Sequence, residues 1–266
     1  MKLPVLFLGH GSPMNAIGRS PYAEEWQNMG EELLDEYDDE IESILCISAH
    51  WLTNGTRVTA MEQPRTIHDF AGFPDELFNM QYPAEGNPEL AERIQELLGE
   101  KRVQLDHNWG LDHGAWSVLR CMFPDADIPV VQLSLDHNLN AQQHFDLAKQ
   151  LAPLRKEGVL IVGSGNIVHN TRLSDWQNPA QTGQAYPWAE LTHELINKWI
   201  KARRYDGLLD EKNYSQAMRM AIPTSEHLWP LLYILALRGE KEALELFNDE
   251  IVAKSISMTS LVIGFV

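Results

Sequence analysis

The chain has 266 residues, 44% hydrophobic and 22% charged, the composition of an ordinary globular protein with one sizeable core. Its net charge of −17 excludes partners that demand a basic surface, namely nucleic acid and anionic membrane. Two cysteines, Cys46 and Cys121, are too few for a disulfide framework and are expected as buried free thiols in a reducing cytoplasm.

The predicted elements alternate between β and α. Leu3–Leu8 is a short apolar run that stops at Gly9-His10-Gly11-Ser12-Pro13, the pattern of a buried strand ending in a turn. A surface helix follows from Pro21 to Tyr37, with Ser20 as its cap. A second apolar run, Ile44–Ala49, closes on His50, and Thr56–Met61 predicts another strand. Residues 62–82 form a long loop around Thr66-Ile67-His68-Asp69-Phe70, and loops of that length within a domain are often functional. Asn87 and Pro88 open a helix to Leu98, and Lys101–Leu105 reads as a strand. Trp109–Trp116 leads into a helix ending near Phe123. A strand at Ile128–Leu135, a helix at Ala141–Lys156 and a third apolar run at Val159–Val162 come next. That run passes through a glycine-rich turn to His169. Pro187–Arg204 is an amphipathic helix, and Ala221–His227 is a loop before a last helix, Leu228–Arg238. Ser255–Phe265 alternates and predicts a closing strand. The N-terminal run lacks a signal-peptide pattern, and Leu228–Leu237 is too short to span a bilayer. The expected architecture is a single-domain three-layer α/β/α fold over residues 1–266, with a central mixed, largely parallel sheet.

Three apolar runs therefore lead to His10, His50 and His169. In open α/β sheets, ligands collect outside the carboxyl ends of the strands, so parallel pairing would bring these histidines together. Neutral imidazoles suit Zn, Cu, Fe or Ni rather than Mg or Ca. His107, His137, His144 and His193 stand in polar or helical contexts and are expected on the surface. Other motifs fail: Val168 stands where a dinucleotide fingerprint needs glycine, and Asn197 where a zincin pattern needs histidine.

Six segments carry a resemblance. They are Leu8–Asn15, Ser48–Trp51, Thr66–Phe70, Trp109–Gly114, Gly165–Asn170 and Pro223–His227. Together and in this order they closely resemble the class III extradiol ring-cleaving dioxygenases, in the DOPA 4,5-dioxygenase branch. The resemblance implies one catalytic domain with a mononuclear non-haem metal, Fe(II) for catalysis and Zn(II) as the ion expected to compete in purified protein. It places His10, His50 and His227 as metal ligands. His227 stands where the wider class has glutamate, with Glu226 beside it. His169 takes the acid/base position and also that of a fourth ligand in a resting enzyme. His113 would join it in catalysis and, with His68, Ser12 and Asn15, face a catechol substrate that reacts with O₂. Asn170–Asp175 replaces the segment found in the plant pigment enzymes. Two further readings of the same histidines are a zinc hydrolase and a non-catalytic binding module.

Overall fold

A computed structural model describes residues 1–37, 40–177 and 184–265. Its strands are β1 (Val5–Gly9), β2 (Ser43–Thr53), β3 (Thr56–Thr59), β4 (Val103–Asp106), β5 (Val130–Asp136), β6 (Val159–Gly165), β7 (Leu244–Phe247), β8 (Ile251–Val252), β9 (Ile256–Ser257) and β10 (Ser260–Ile263). The helices are α1 (Pro21–Tyr37), α2 (Asp75–Phe78), α3 (Pro88–Leu98), α4 (His113–Met122), α5 (Ala141–Ala148), α6 (Pro187–Lys201), α7 (Asp206–Leu209), α8 (Gln216–Ala221) and α9 (Trp229–Ala236).

Eight strands form one sheet in the order β4-β3-β5-β2-β6-β1-β10-β7. Its centre, β5-β2-β6-β1, is wholly parallel, as βαβ crossovers require. β3 pairs antiparallel with β5 on one side, and β10 pairs antiparallel with β1 on the other. The three strands that lead to histidines are thus direct neighbours.

The strands are apolar on both faces because helices cover both. Leu6, Leu8, Ile44, Cys46, Leu160 and Val162 pack against Trp26 and Leu33 of α1 and Trp116 and Leu119 of α4. The alternate residues Val5, Phe7, Leu45, Ile47 and Ile161 pack against α3, α5, α6 and α9 through Ile94, Phe145, Ile196 and Leu231. This period of two is the pleat of a strand buried between layers.

Several elements depart from expectation. The predicted helix Ala141–Lys156 is α5 followed by 3₁₀ turns over Lys149–Lys156, which contain Pro153. Proline donates no N–H and crowds the carbonyl four residues back, so the α geometry cannot continue. The expected closing strand is two pieces: β9 pairs with β8 in a small hairpin, and β10 crosses into the main sheet. β7, a short, half-buried edge strand, was not predicted. The loop 62–82 contains α2. Cys46 is buried, whereas Cys121 is partly exposed.

His50 does not end its strand. β2 runs on to Thr53, and its register against β5 shifts between Ile47 and Leu52. Such a bulge re-aims side chains, here next to His50. His169 lies four residues beyond β6 and is held by an isolated antiparallel bridge to Ile256.

Candidate metal centre and substrate cleft

His10 follows β1, and its backbone N–H donates to the Gly165 carbonyl at 3.1 Å, which ties it to the end of β6. The turn carrying His227 lies on the same end: the Asn166 N–H donates to the His227 carbonyl at 2.8 Å. Gly165 makes this approach feasible, since a Cβ there would collide with that carbonyl oxygen. Gly114 serves His50 in the same way, because a Cβ there would sit 2.8 Å from the His50 ring.

One ring nitrogen each from His10, His50 and His227 falls within 4.8 Å of the others. The hydrogen bonds behind the rings decide which nitrogen each presents. Ser164 Oγ donates to the Gly114 carbonyl at 2.5 Å, so it must accept from His10 Nδ1 at 2.9 Å. His10 Nε2 is then a free lone pair. His50 Nδ1 faces Asp69 Oδ2 at 3.3 Å, and its Nε2 is 3.3 Å from His10 Nε2. His227 Nδ1 faces Glu226 Oε1 at 3.2 Å, while its Nε2 is buried without a hydrogen-bond partner among the described residues. Two imidazole lone pairs aimed at each other and a third orphaned in the interior are unfavourable unless a cation lies between them. The donor set therefore fits a metal. Glu226 sits behind His227, where it also accepts from Thr224 Oγ1 at 2.7 Å.

The sequence reading missed Asp69. Its Oδ1 is 2.9 Å from His113 Nδ1 and also accepts from the His113 backbone N–H at 2.9 Å, while Oδ2 faces His50. Burial alone would raise the Asp69 carboxyl, but hydrogen bonds from His113 and His50 hold it well below the usual carboxylate range. One carboxylate thus orients two histidines. Asp112 was also missed: it is fully buried, accepts from Ser48 Oγ and caps α4 by accepting from the Ala115 N–H. The signal for both was their position one residue from a motif histidine, in His68-Asp69 and Asp112-His113.

His169 is not one of the three convergent donors. Its ring stacks on His227 with centroids 3.4 Å apart and planes 11° from parallel. Burial, and then the neighbouring His50, lower its pKa to about 4. Desolvation likewise lowers His10 and His227 well below their ordinary value, with the surrounding histidines adding to it.

The histidines open into a cleft of about 780 Å³. His10, His50, His113, His169, Ser12 and Asn15 line it, and Phe70, Phe73, Trp176, Val252 and Met258 give it apolar walls. Asn15 also donates from Nδ2 to the His10 carbonyl at 3.3 Å. His68, expected at the substrate, is not in this lining. Its Nε2 bonds the Met80 carbonyl at 2.9 Å and its ring packs against Trp116, so it braces the loop 66–82. His107 and His137 are exposed as expected. His144 is fully buried instead, packed against Trp229 with the ring planes tilted by 35° and bonded to the Tyr233 hydroxyl, because it lies on the inner face of α5. His193 is partly buried and bonded to Asp249. A cavity of about 890 Å³ beside α6 holds His193 but, among the described residues, no convergent histidine set.

The buried neutral histidines have a consequence for stability. His10, His169, His227 and His144 all titrate below their unfolded value near 6.5. Between about pH 6.5 and pH 4 the unfolded chain binds more protons, so their stabilisation is full above 6.5 and is lost as pH falls. His144 and His169, which titrate near 4, each contribute a slope of at most about 1.4 kcal/mol per pH unit in that window. The metal-free protein should unfold at markedly lower urea at pH 5 than at pH 7. Equal midpoints would contradict the neutral cluster.

No described helix is long and apolar enough to cross a membrane. A family model, the catalytic LigB subunit of aromatic ring-opening dioxygenase, matches residues 4–264. A protein of Escherichia coli K12 named 4,5-DOPA dioxygenase extradiol is 44% identical, covering 99% of this chain and 95% of its own. A protein of the same name from Beta vulgaris is 39% identical over 91% of this chain and 90% of its own. A crystal structure of an uncharacterized Escherichia coli K12 protein superposes with a TM-score of 0.81 at 38% identity, covering 98% of this chain and 100% of that one. A match over nearly the whole length, on a fold with a histidine centre beside the carboxyl ends of the central strands, has one meaning: the chain belongs to the LigB family of aromatic ring-opening dioxygenases and is an extradiol dioxygenase.

Proposed function

We propose that this protein opens the ring of a DOPA-type catechol beside its diol, using O₂ and one Fe(II) held by His10, His50 and His227. The observation that carries this is the set of three convergent ring nitrogens, with Ser164, Asp69 and Glu226 behind the three rings, beside an apolar cleft. The substrate class follows from the names of the relatives, 4,5-DOPA dioxygenase extradiol. Bound Fe(II) supplies Lewis acidity toward the diol and the one-electron chemistry that O₂ requires.

The chain's own residues do the rest. Phe70, Phe73 and Met258 wall in the aromatic ring and exclude water. Asp69 holds the His50 ring so that Nε2 faces the centre, and it holds His113 at the cleft wall. His169, neutral at physiological pH, accepts a proton from a diol hydroxyl on a ring nitrogen and returns it as the ring opens. His113 lines the cleft beside His50, with ring centroids 3.8 Å apart, where it offers a second hydrogen-bonding group to the diol. Both oxygen atoms of O₂ enter the product, a muconic semialdehyde.

Ring opening is favoured over the hydrolytic and non-catalytic readings by family membership. The test is oxygen uptake across a panel of catechols with protein loaded anaerobically with Fe(II). One O₂ consumed per catechol, with Zn(II)-loaded protein inactive, is the expected result. No uptake at full Fe(II) occupancy would sink the proposal.

A further inference from the structure

The lining of the cleft differs in charge from the molecule as a whole, although Asp69 and Glu226 stand behind its histidines. The chain carries 38 acidic and 21 basic residues, yet no Asp or Glu is among the described residues that line the cleft. Among the described lining residues, the one permanently charged side chain is Arg19. It lies between the 3₁₀ turn Pro13–Ala16 and α1, and it is exposed at the mouth. Among the described residues it has neither an ion-pair nor a hydrogen-bond partner. Two of its polar neighbours in the cleft are already engaged, while Glu24 shares a second cavity with it. Ser20 Oγ accepts from the Ala23 N–H at 3.1 Å, and the Tyr22 hydroxyl donates to Glu250 at 2.9 Å.

We infer that Arg19 is a specificity-determining residue that binds a carboxylate on the tail of the catechol. This rests on the ring-cleaving reading above and adds the side of the substrate remote from the diol. The physical reason is selection against the molecule's own field. A net charge of −17 repels an anion and attracts an ammonium, so discrimination for a carboxylate has to be local. Guanidinium presents a planar fork of donors that matches a carboxylate in two-point contact, and an unpaired fork needs no rearrangement to engage. A diol held by the buried histidines and a ring held by the apolar walls would leave the exposed Arg19 for the tail. The same charge repels a catechol whose tail is a bare ammonium, which adds a penalty against the wrong ligand.

Anaerobic calorimetric titration of the Fe(II)-loaded full-length protein tests this without turnover. The probes are L-DOPA, dopamine and 4-methylcatechol. Wild type is expected to prefer L-DOPA over both others. In Arg19→Ala, the ratio of L-DOPA affinity to 4-methylcatechol affinity should fall about tenfold at low salt, the order expected for losing a charge-assisted pair. Arg19→Lys should retain part of the ratio, and Arg19→Glu should turn the preference toward dopamine. Equal weakening of both ligands in Arg19→Ala would make the residue merely structural and overturn the inference. So would a ratio equal to that of wild type. Either result leaves ring cleavage standing, because 4-methylcatechol still binds. Failure of all three catechols to bind wild type would overturn both.

Discussion

His50→Ala is expected to purify with no more than a trace of metal where the wild type holds one ion per chain. A site with three imidazole donors loses a third of them, and the two that remain leave most of the coordination sphere to water. His10→Ala and His227→Ala should behave alike, because one ring nitrogen of each lies in the same trio. The backing residues grade the effect. Asp69→Asn keeps all three donors but weakens the hydrogen bond to His50 Nδ1, and it should lower metal affinity by about 10- to 100-fold. Glu226→Gln should retain metal, since its carboxylate lies on the far nitrogen of His227. Metal analysis of each variant, with far-ultraviolet circular dichroism for folding, reads these outcomes. Stoichiometric metal in folded His50→Ala, or complete loss in Glu226→Gln, would move the ligand set away from the three histidines.

His169→Gln is expected to separate binding from chemistry. The variant keeps His10, His50 and His227, so it should hold metal and still bind a catechol anaerobically. Its turnover should fall by about 10²–10⁴, the range for loss of a positioned acid/base group. Glutamine keeps the approximate shape and a hydrogen-bonding end but takes no proton near neutral pH. In wild type, activity should carry an acid limb. His169 works from its neutral form, and its lowered pKa means that activity is full near neutrality and lost as pH falls toward about 4. The variant should lack that limb. Oxygen consumption against pH, with metal content measured on the same samples, decides it. Loss of metal from His169→Gln would make His169 a ligand. Full turnover would leave its proton role without support and direct attention to His113, which lines the same cleft.

Much of the architecture could be read before any coordinates. Apolar runs bounded by Gly, Pro and Asn mark β1, β2, β5 and β6, because strands buried on both faces have no polar alternation to obscure them. Asn87-Pro88 marks the start of α3, because both residues suit the first turn of a helix for local backbone reasons. The histidines expected at strand ends pointed to a metal site, although His50 lies within β2 and His169 beyond β6, and the order of six motifs pointed to the family. These features are local, and a local pattern survives without its context.

The rest depended on which segments meet. Nothing in the sequence places β6 between β1 and β2, and only that order sets Ser164 behind His10 and so frees His10 Nε2. Asp69 and His68 are adjacent in the same loop, yet the fold turns Asp69 onto His50 and His113 and His68 away onto the Met80 carbonyl. His144 looks polar in its helix, but α9 covers that face and buries it. Residue type and spacing determine which groups can ligate or titrate. Which nitrogen faces the centre, and which carboxylate stands behind it, is decided by contacts between residues far apart in the chain, and only the packed tertiary structure forms those contacts.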